Sequence, residues 1–565
     1  MTATPKTAID PVLLSVLART FRSITDEMSA AVVKTTRSPI LCEAKDFVTG
    51  LYDAHGQMLE QTENLPILAF SLAPVCKHIV ATYGDDIHDG DVILHNDVFS
   101  FGNQNNDVAV FKPIFHDGQL VAWAAVKGHQ ADIGGAVAGG YNPNARDVWQ
   151  EALRIPAVKI YEKGRLRADV WNLIFANIRF DIVQHDIKAQ MGACTVGERR
   201  MQALLAKYGR PVFEAHKAAL FDSTQKMVEA ELGCIPNGVY SGEGAVYFDG
   251  HRAGSKYMIR VTITVADKAI KFDYSATDPQ TDGFVNGTYT SSASATLLTL
   301  LQLIDPEIPH NEGLVRPIEI VIPEGTILNA AYPKATTFGN HLCPPNADAI
   351  IRALAPVIPD RVTAGWNNLL CSLTTGLDPE TREKYVDIGF MGLKGGSGAM
   401  AGTDGYDHIG MIDASGGVLD QDYEMCELQT PHRLVRHELI TDSGGAGRWR
   451  GGLGVITEFV IGSDDTQLVT FGDGDFEPAF GLAGGHDSIL NTIELTYPDG
   501  RKVVPRNKDL LLGVPKGTLY HQIAGGGGGY GPPEERDRAK LAEEVRDGVV
   551  SEQAARDVYG ERRAD

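Results

Sequence analysis

The sequence lacks the common signatures of nucleotide binding and of several well-known catalytic sites. No glycine run ends in Gly-Lys-Ser/Thr, as a Walker A phosphate loop requires, and no Gly-x-Gly-x-x-Gly lies between a clear strand and a helix. There is no Gly-x-Ser-x-Gly nucleophile elbow, no His-Glu-x-x-His zinc motif and no biotinyl-lysine tetrapeptide. If the protein takes part in ATP-driven chemistry, we therefore expect another chain to hold the nucleotide, and we expect no biotin.

Basic clusters and long apolar runs are also missing. The 565 residues carry a formal charge of −22 without a basic stripe, so we expect no nucleic-acid partner. The N-terminus lacks a basic segment followed by an apolar core, and no run approaches the roughly 20 apolar residues that span a bilayer. Seven scattered cysteines without a Cys-x-x-Cys pair indicate reduced thiols. We predict a cytoplasmic protein that does not contact a membrane.

Hydrophobic periodicity predicts a multi-domain α+β protein, with a helical N-terminal region and sheet-rich, glycine-punctuated central and C-terminal regions. The Asp10-Pro11 pair predicts the start of a long helix, and apolar spacing predicts another over 184–208. Period-two alternation in MIRVTITV predicts strands beyond residue 238. We divide the chain into an N-terminal α/β region with the candidate site (1–235), a central α+β region (236–390), a β-rich C-terminal region (391–532) and a helical polar tail (533–565).

Polar groups that could hold an ion are concentrated between residues 95 and 140. There VAVFKPIF, HDG and QLVAWAAV predict two strands joined by a turn, which would bring Asp107 and His129 together although 22 positions separate them. One carboxylate and one imidazole suit a divalent ion such as Mn, Fe or Zn, but two ligands are too few. In the alternative interpretation, Asp97 and the nearby asparagines are turn residues and His129 is a hydrogen-bonded loop histidine.

A second hairpin is predicted around a turn at residues 53–56. Asp46 opens its first strand, and Glu43 and Lys45 precede it. Taken by themselves, these three charged residues are typical of a solvated strand edge.

Several long stretches of the chain, in the same order, resemble the hydantoinase B/oxoprolinase family. They are DFVTGLYDAHGQML, the Asn-Asp frame from Asn96 to Asp107, PIF.DG, H..DIGG at His129, DIKAQMGA, FDYSATDPQ, NEGLVRPI, PEGTILN, DSGGAGRWRGGLG and GGGGGYGPPEER. The resemblance implies a hetero-oligomer in which a hydantoinase-A-like subunit binds and hydrolyses Mg-ATP or Mn-ATP. The family includes hydantoin and oxoproline hydrolases and biotin-independent carboxylases of ketones.

The resemblance also implies a divalent metal site. The positions that match the ligands of acetone carboxylase, which is associated with a manganese-type metal, are Asp46, Asp107 and His129, while Gln104 replaces the usual family histidine. A glutamine oxygen is a weaker ligand for a transition ion than imidazole. We expect His129 to be a general base or a metal ligand ordered by Asp107 and Asp46, and we include Asp132 among the catalytic candidates.

One altered segment suggests which reaction the protein supports. ENLPILAFS, from Glu63, lacks two histidines of the family's His-Ile-Pro-Val-His-Leu-Gly and gains Phe70, which suggests a less polar pocket. We therefore favour a subunit of an ATP-dependent, biotin-independent carboxylase that converts an acetophenone-like ketone and bicarbonate to a β-keto acid. Two alternatives stay open: a hydantoinase or 5-oxoprolinase B-type subunit that hydrolyses a cyclic amide, and a non-catalytic scaffold subunit.

Overall fold

The computed structural model describes residues 9–62 and 64–560. The helices are α1 (Pro11–Thr35), α2 (Pro39–Cys42), α3 (Pro66–Ala69), α4 (Leu72–Tyr83), α5 (Val148–Glu151), α6 (Ala168–Phe175), α7 (Ile182–Tyr208), α8 (Arg210–Leu232), α9 (Tyr289–Leu301), α10 (Glu312–Val315), α11 (Cys343–Leu354), α12 (Phe390–Leu393), α13 (Tyr423–Gln429), α14 (Arg538–Arg546) and α15 (Glu552–Asp557).

The strands are β1 (Phe47–Asp53), β2 (Met58–Gln61), β3 (Val92–His95), β4 (Asp107–His116), β5 (Gln119–His129), β6 (Val158–Glu162), β7 (Arg165–Leu166), β8 (Gly238–Tyr247), β9 (Lys256–Ala266), β10 (Ala269–Asp273), β11 (Ile318–Val321), β12 (Leu370–Leu377), β13 (Lys384–Ile388), β14 (Arg433–Leu439), β15 (Val455–Val460), β16 (Thr466–Gly472), β17 (Thr492–Thr496), β18 (Lys502–Val503), β19 (Asp509–Val514) and β20 (Leu519–Ala524). The described residues form 15 α-helices and 20 strands, and this mixture confirms the predicted α+β class.

Four sheets organise the strands. A seven-stranded sheet has the order β2-β1-β5-β4-β3-β6-β7, and a four-stranded sheet has the order β11-β10-β9-β8. The remaining two sheets have the orders β13-β12-β16-β19 and β14-β15-β20-β17-β18. The seven-stranded sheet is the one that carries the candidate site, because β1, β4 and β5 are neighbours in it.

The two long helices begin and end close to where the sequence predicts. Asp10 caps α1 by accepting a hydrogen bond from Val12 N at 2.9 Å, and Pro11 occupies the first turn, where an N–H is not needed. Helix α7 ends at Gly209, whose φ is +79°. Helix α1 packs on α7, and α7 packs on β4 and β5, so together they cover one face of the seven-stranded sheet.

The hydrophobic core is shared between the predicted regions. One continuous cluster of buried apolar side chains includes Leu17 of α1, Phe272 of β10 and Phe480 beyond β16. Helices α14 and α15 pack around a separate small cluster that contains Leu541 and Tyr559. The proposed domain boundaries therefore stay a prediction, and side chains from the first three regions pack into the same core.

The glycine runs of the C-terminal region pack backbone against backbone rather than forming strands. Gly527 N donates to Gly452 O at 2.9 Å, and Gly445 N donates to Gly527 O at 2.8 Å. A Cβ atom built on Gly527 would lie 1.9 Å from Ser397 O, closer than any real contact. Glycine is required here because these segments of the backbone approach one another closely. The β-rich character predicted for 391–532 comes instead from strands β14 to β20, which surround the packed glycine segments.

One helical segment has the length and hydropathy of a membrane span, which the sequence analysis did not predict. It runs over Pro66–Asp86 and has a mean hydropathy of 1.3. Half of it is buried inside the protein, including Leu72, Val75 and Ile79 of α4. This burial is typical of a core helix, and the cytoplasmic location stays a prediction.

Candidate active site

His129 and Asp107 lie side by side on neighbouring strands, and Asp46 lies beside His129, just before the third strand begins. The register pairs His129 of β5 with Asp107 of β4. On the other edge of β5, Phe47 pairs with Gly128, so Asp46 comes opposite His129, whose N–H donates to Asp46 O at 3.1 Å. Residues paired across neighbouring strands project to the same face of a sheet. The predicted hairpin and the closeness of Asp107 and His129 are confirmed.

Asp107 holds the His129 imidazole in one orientation. His129 Nδ1 lies 2.9 Å from Asp107 Oδ1, and Asp107 Oδ2 accepts hydrogen bonds from Asn103 Nδ2 at 2.8 Å and Asn340 Nδ2 at 2.9 Å. In the neutral ring, Nδ1 therefore carries the proton and Nε2 the lone pair. Burial lowers the pKa of His129, but the hydrogen bond to Asp107 and the charges of Asp46 and Asp107 outweigh burial and raise it. His129 thus accepts a proton more readily than an isolated histidine.

A buried lysine supports this arrangement from within the sheet. Lys127 Nζ donates to Asn103 Oδ1 at 2.9 Å and to Ser71 Oγ at 2.6 Å. A chain of hydrogen bonds thus runs from Lys127 through Asn103 to Asp107, and burial lowers the pKa of Lys127 to about 7. The sequence analysis missed Lys127 because it stands alone within an apolar strand pattern.

Gln104 joins the site through a tyrosine and a second histidine. Gln104 Nε2 donates to the carbonyl of Thr337 and to the Tyr141 hydroxyl at 3.2 Å, and its Oε1 accepts from Asn340 Nδ2 at 3.3 Å. The Tyr141 hydroxyl lies 3.0 Å from His341 Nε2. Among the described residues, His341 Nε2 is the acceptor within reach of the Tyr141 hydroxyl, so the hydroxyl proton goes to it. The proton of His341 is then on Nδ1.

Four buried polar atoms around one cavity have no hydrogen-bond partner. They are Asp46 Oδ1, His129 Nε2, His341 Nδ1 and Asp413 Oδ1. All four residues line a small cavity of about 50 Å³, which has room for the polar end of a ligand but is below the usual size of a complete small-molecule site. Its other walls are mostly apolar, formed by Leu65, Ile67, Leu369, Ile388, Leu393, Met411, Val418 and Phe471. Buried polar groups are normally satisfied, so these four atoms indicate a ligand that is itself polar at one end.

The electrostatics of the cavity follow from burial. Burial raises the pKa of both Asp46 and Asp413 to about 7. It lowers the pKa of His341 to about 3, with a further contribution from the charges of His129 and Lys508. His341 is therefore a neutral donor at neutral pH, whereas the two carboxyl groups exchange protons close to neutral pH.

Two of the four ligands implied by the family resemblance offer free donor atoms of the types that a divalent metal uses. His129 Nε2 and Asp46 Oδ1 are an unpartnered imidazole nitrogen and a carboxylate oxygen, which suit Mn, Fe or Zn. Asp107 instead uses both oxygens on His129 and the two asparagines, which is the role of a group that orients a ligand. Gln104 uses its oxygen on Asn340. The ligand roles of Asp46, Asp107, His129 and Gln104 stay predictions.

Asp132 lies outside this cluster. Its carboxylate accepts hydrogen bonds from Arg179 Nη1 at 2.9 Å and from the N–H groups of Gly134 and Gly139, both at 3.2 Å. These bonds shape the glycine loop that follows β5, and Asp132 is not among the described residues that line the cavity. Its catalytic role stays a prediction. Asp97 likewise has a structural function, because Arg154 donates to both of its oxygens.

The altered segment after β2 supplies apolar wall, although not through the residue that the sequence analysis named. Leu65 and Ile67 line the cavity, whereas Phe70 packs its ring on His310 with centroids 6.2 Å apart. Glu63 lies outside the described residues. His341 and Asp413 were missed because each stands alone in a glycine-containing stretch, and only the fold brings them to the cavity.

Glu151 ties the turn that carries His341 to α5. Its carboxylate accepts hydrogen bonds from Thr336 N and Thr337 N, each at 2.8 Å, at the start of the 3₁₀ turn Thr337–Leu342. Burial raises its pKa from the ordinary 4.5 to about 7, although these N–H groups oppose the rise. Because the unfolded chain loses this proton first, we expect Glu151 to make stability fall as pH rises from 4.5 to about 7.

A melting-temperature comparison checks this prediction. Between about pH 4.5 and about pH 7 the melting temperature of the wild type should fall more than that of Glu151→Gln, whose side chain does not titrate. Glu427→Gln is the matched control, since exposed Glu427 also accepts a backbone N–H, from Leu434. A wild type that gains stability over this range relative to Glu151→Gln would show that the N–H groups hold the carboxylate charged.

The fold and this cavity define an α+β subunit with a candidate small-molecule site. Comparison with known proteins identifies the family to which it belongs. A model of the hydantoinase B/oxoprolinase family matches residues 10–533. Caprolactamase subunit beta from Pseudomonas jessenii is 35% identical over 563 residues, which cover 98% of this chain and 96% of that protein. The chain belongs to the hydantoinase B/oxoprolinase family, as its sequence motifs predict.

Two solved structures share the whole architecture. The crystal structure of the ATP-dependent caprolactamase from Pseudomonas jessenii matches with a TM-score of 0.91 and 33% identity, over 98% of this chain and 96% of that one. Nucleotide-free acetone carboxylase matches with a TM-score of 0.87 over 98% of this chain and 79% of that one. At 20% identity, the second match shows the shared fold alone. The relatives are subunits of ATP-dependent enzymes of the amidohydrolase and carboxylase type.

Proposed function

We propose that the protein is the substrate-holding subunit of an ATP-dependent enzyme that hydrolyses a cyclic amide with an apolar ring. The observation that carries this proposal is the cavity in which four unpartnered polar atoms face apolar walls. A lactam has this same division, since its amide group is polar and its methylene ring is not. The similarity to caprolactamase subunit beta supports the same substrate class.

The groups at the polar end suit attack on an amide carbonyl. His341 lines the cavity, and its Nδ1–H is a donor without a partner, as stabilisation of a carbonyl oxygen requires. His129 offers the lone pair of Nε2 as a general base or a ligand, and Asp107 fixes its orientation. Asp413, with a pKa of about 7, would pass protons to and from the substrate. A divalent ion held by His129 and Asp46 would supply Lewis acidity when bound.

ATP would be bound by a hydantoinase-A-like partner. This chain has no Walker A loop, and a cavity of this size, enclosed by apolar side chains, has no cluster of Lys or Arg to hold three phosphates. Closing the substrate between the two subunits would keep water away from an activated carbonyl until the ring is ready to open. The proposed assembly is therefore a hetero-oligomer in which the partner supplies phosphoryl transfer and this subunit supplies the site of ring opening.

Carboxylation of a ketone is the second candidate. The apolar walls match the polarity of an acetophenone-like ring as well as that of a lactam ring, and His129 could remove a proton from the carbon next to the carbonyl. The resemblance to biotin-independent carboxylases supports this reaction, which would consume bicarbonate together with the ketone.

A substrate screen on the complex with its hydantoinase-A-like partner separates the two candidates. We expect ADP release and a ring-opened amino acid with lactams of five to seven ring atoms, at the same rate with and without bicarbonate. Hydantoin, 5-oxoproline and acetophenone are tested in parallel. ATP consumption that needs ketone and bicarbonate together would overturn the proposal in favour of the carboxylase. Failure of every substrate to raise ADP release would favour the scaffold alternative.

A further inference from the structure

We propose a metal site, separate from the one predicted at His129, that is formed by His408, Asp420 and His437 and binds a transition ion such as Zn²⁺. Among residues 9–62 and 64–560, these three form the set whose ligand atoms, one from each side chain, all lie within 4.8 Å of one another. His408 follows α12, Asp420 precedes α13, and His437 is on β14, so the site would join three separate segments. None of these three residues lines the His129 cavity, although the loop between His408 and Asp420 forms part of its wall.

Both imidazoles are anchored through Nδ1, so Nε2 is the nitrogen that each could offer to an ion. His408 Nδ1 lies 3.1 Å from the carbonyl oxygen of Lys394, which can only accept, so this nitrogen carries the proton. His437 Nδ1 lies 3.0 Å from Thr457 Oγ1, and Thr457 directs its own proton to Met391 O at 3.3 Å. Anchoring Nδ1–H on an oxygen is how proteins orient metal-binding histidines.

Asp420 is placed to bridge a metal and a lysine. Its Oδ2 lies 2.7 Å from His408 Nε2, and its Oδ1 lies 3.1 Å from Lys394 Nζ. In the neutral ring His408 Nδ1 carries the proton, so the lone pair of Nε2 faces the carboxylate oxygen of Asp420. Two lone pairs repel each other at this distance, so a positively charged group must lie next to both atoms. That is either a second proton on the ring or a cation shared with His437.

The chemistry of the three donors suits a transition ion such as zinc rather than Mg²⁺ or Ca²⁺. Two imidazole nitrogens and one carboxylate oxygen form a mixed set that Zn²⁺ accepts in tetrahedral geometry, whereas Mg²⁺ and Ca²⁺ prefer oxygen donors. The side chains of His408 and Asp420 are 18% and 25% exposed, so a water molecule can fill the fourth position. Tyr423 covers one side of the site, with its ring centroid 5.5 Å from that of His437.

A zinc ion here would hold one wall of the candidate active site in place. Asp420 is two residues beyond Val418, which lines the His129 cavity and whose carbonyl accepts a hydrogen bond from Lys394 Nζ. The same loop contributes Met411 and Asp413 to the cavity. Tying this loop to β14 would fix the wall against the rest of the C-terminal region, which is a structural role.

Zinc titration of the metal-free full chain tests the proposal. The metal is removed with a chelator, and Zn²⁺ and Co²⁺ are added back to the wild type, His437→Gln and the control His521→Gln. His521 is a matched control because it also pairs with a carboxylate, Glu458 at 2.8 Å, on the same sheet. We expect His437→Gln to bind one Zn²⁺ fewer, or to bind it more than about 100-fold more weakly, because even losing a group that only supports a ligand costs 10- to 100-fold.

A double variant that lacks the predicted metal donors of the His129 cavity serves as a second background for the titration. In Asp46→Asn/His129→Gln, one Zn²⁺ equivalent should still bind, and Co²⁺ should give the absorption of a tetrahedral nitrogen and oxygen site. Adding Zn²⁺ should also raise the melting temperature of that background, and His437→Gln should abolish the rise. Equal zinc binding with and without His437 would overturn the proposal and leave a protonated His408 paired with Asp420. This result is independent of the substrate of the complex.

Discussion

Replacing His129 by glutamine is expected to lower kcat of the assembled complex by about 10²- to 10⁴-fold, the range for loss of a general base. Glutamine keeps a hydrogen-bonding group near Asp107 but offers no imidazole lone pair at the position of Nε2. The same loss is expected if His129 holds an ion, because an amide is a poor replacement for imidazole. The measurement is ADP release by the complex with the substrate found in the screen.

The control for this variant comes from the other end of the same hairpin. His116 pairs with Gln119 beside the turn and has a side chain that is 22% exposed, so His116→Gln should keep wild-type kcat. Melting temperature and co-purification of the partner subunit show whether each variant folds and assembles. A folded, assembled His129→Gln complex with unchanged kcat would identify the protein as a scaffold, and the catalytic reading of the cavity would be wrong.

Replacing Gly527 by alanine is expected to destabilise the protein by at least about 3 kcal/mol, the upper range for overpacking a buried site. A Cβ atom there would lie 1.9 Å from Ser397 O and 2.1 Å from Ser397 C, and both are backbone atoms that cannot turn aside. The neighbouring backbone segments would have to separate and lose their hydrogen bonds, such as the one from Gly527 N to Gly452 O. The measurement is the melting temperature of the full chain.

A glycine in open space provides the matched control. A Cβ atom on Gly192, in α7, would meet nothing within 4 Å, so Gly192→Ala should stabilise the helix by roughly 1 kcal/mol. The two substitutions add the same methyl group and differ only in what surrounds it. If Gly527→Ala melts no lower than Gly192→Ala, the backbone-to-backbone packing of the glycine array is not what holds the C-terminal region together.

The local parts of the site could be predicted because they depend on short-range rules. A turn of two residues between β4 and β5 starts the hairpin, and a one-residue shift of register between Ile114 and Phe115 then places Asp107 opposite His129. The start of α1 at Pro11 and the end of α7 at Gly209 follow from capping preferences that involve only neighbouring residues. Asp132 shows the limit of such reasoning. Its place in the His-x-x-Asp match made it a catalytic candidate, but that match could not show that its carboxylate accepts a hydrogen bond from Arg179.

What the sequence by itself determined is the α+β class, the family, and the pair of side chains that one hairpin brings together. Only the tertiary structure decided that His341 and Asp413 complete the cavity, that the glycine runs stack against one another, and that His408, Asp420 and His437 meet. The physical reason is that a strand register is set over a few residues by turn geometry and alternation. Contacts between residues hundreds of positions apart depend instead on how whole sheets and helices pack, which no local pattern encodes.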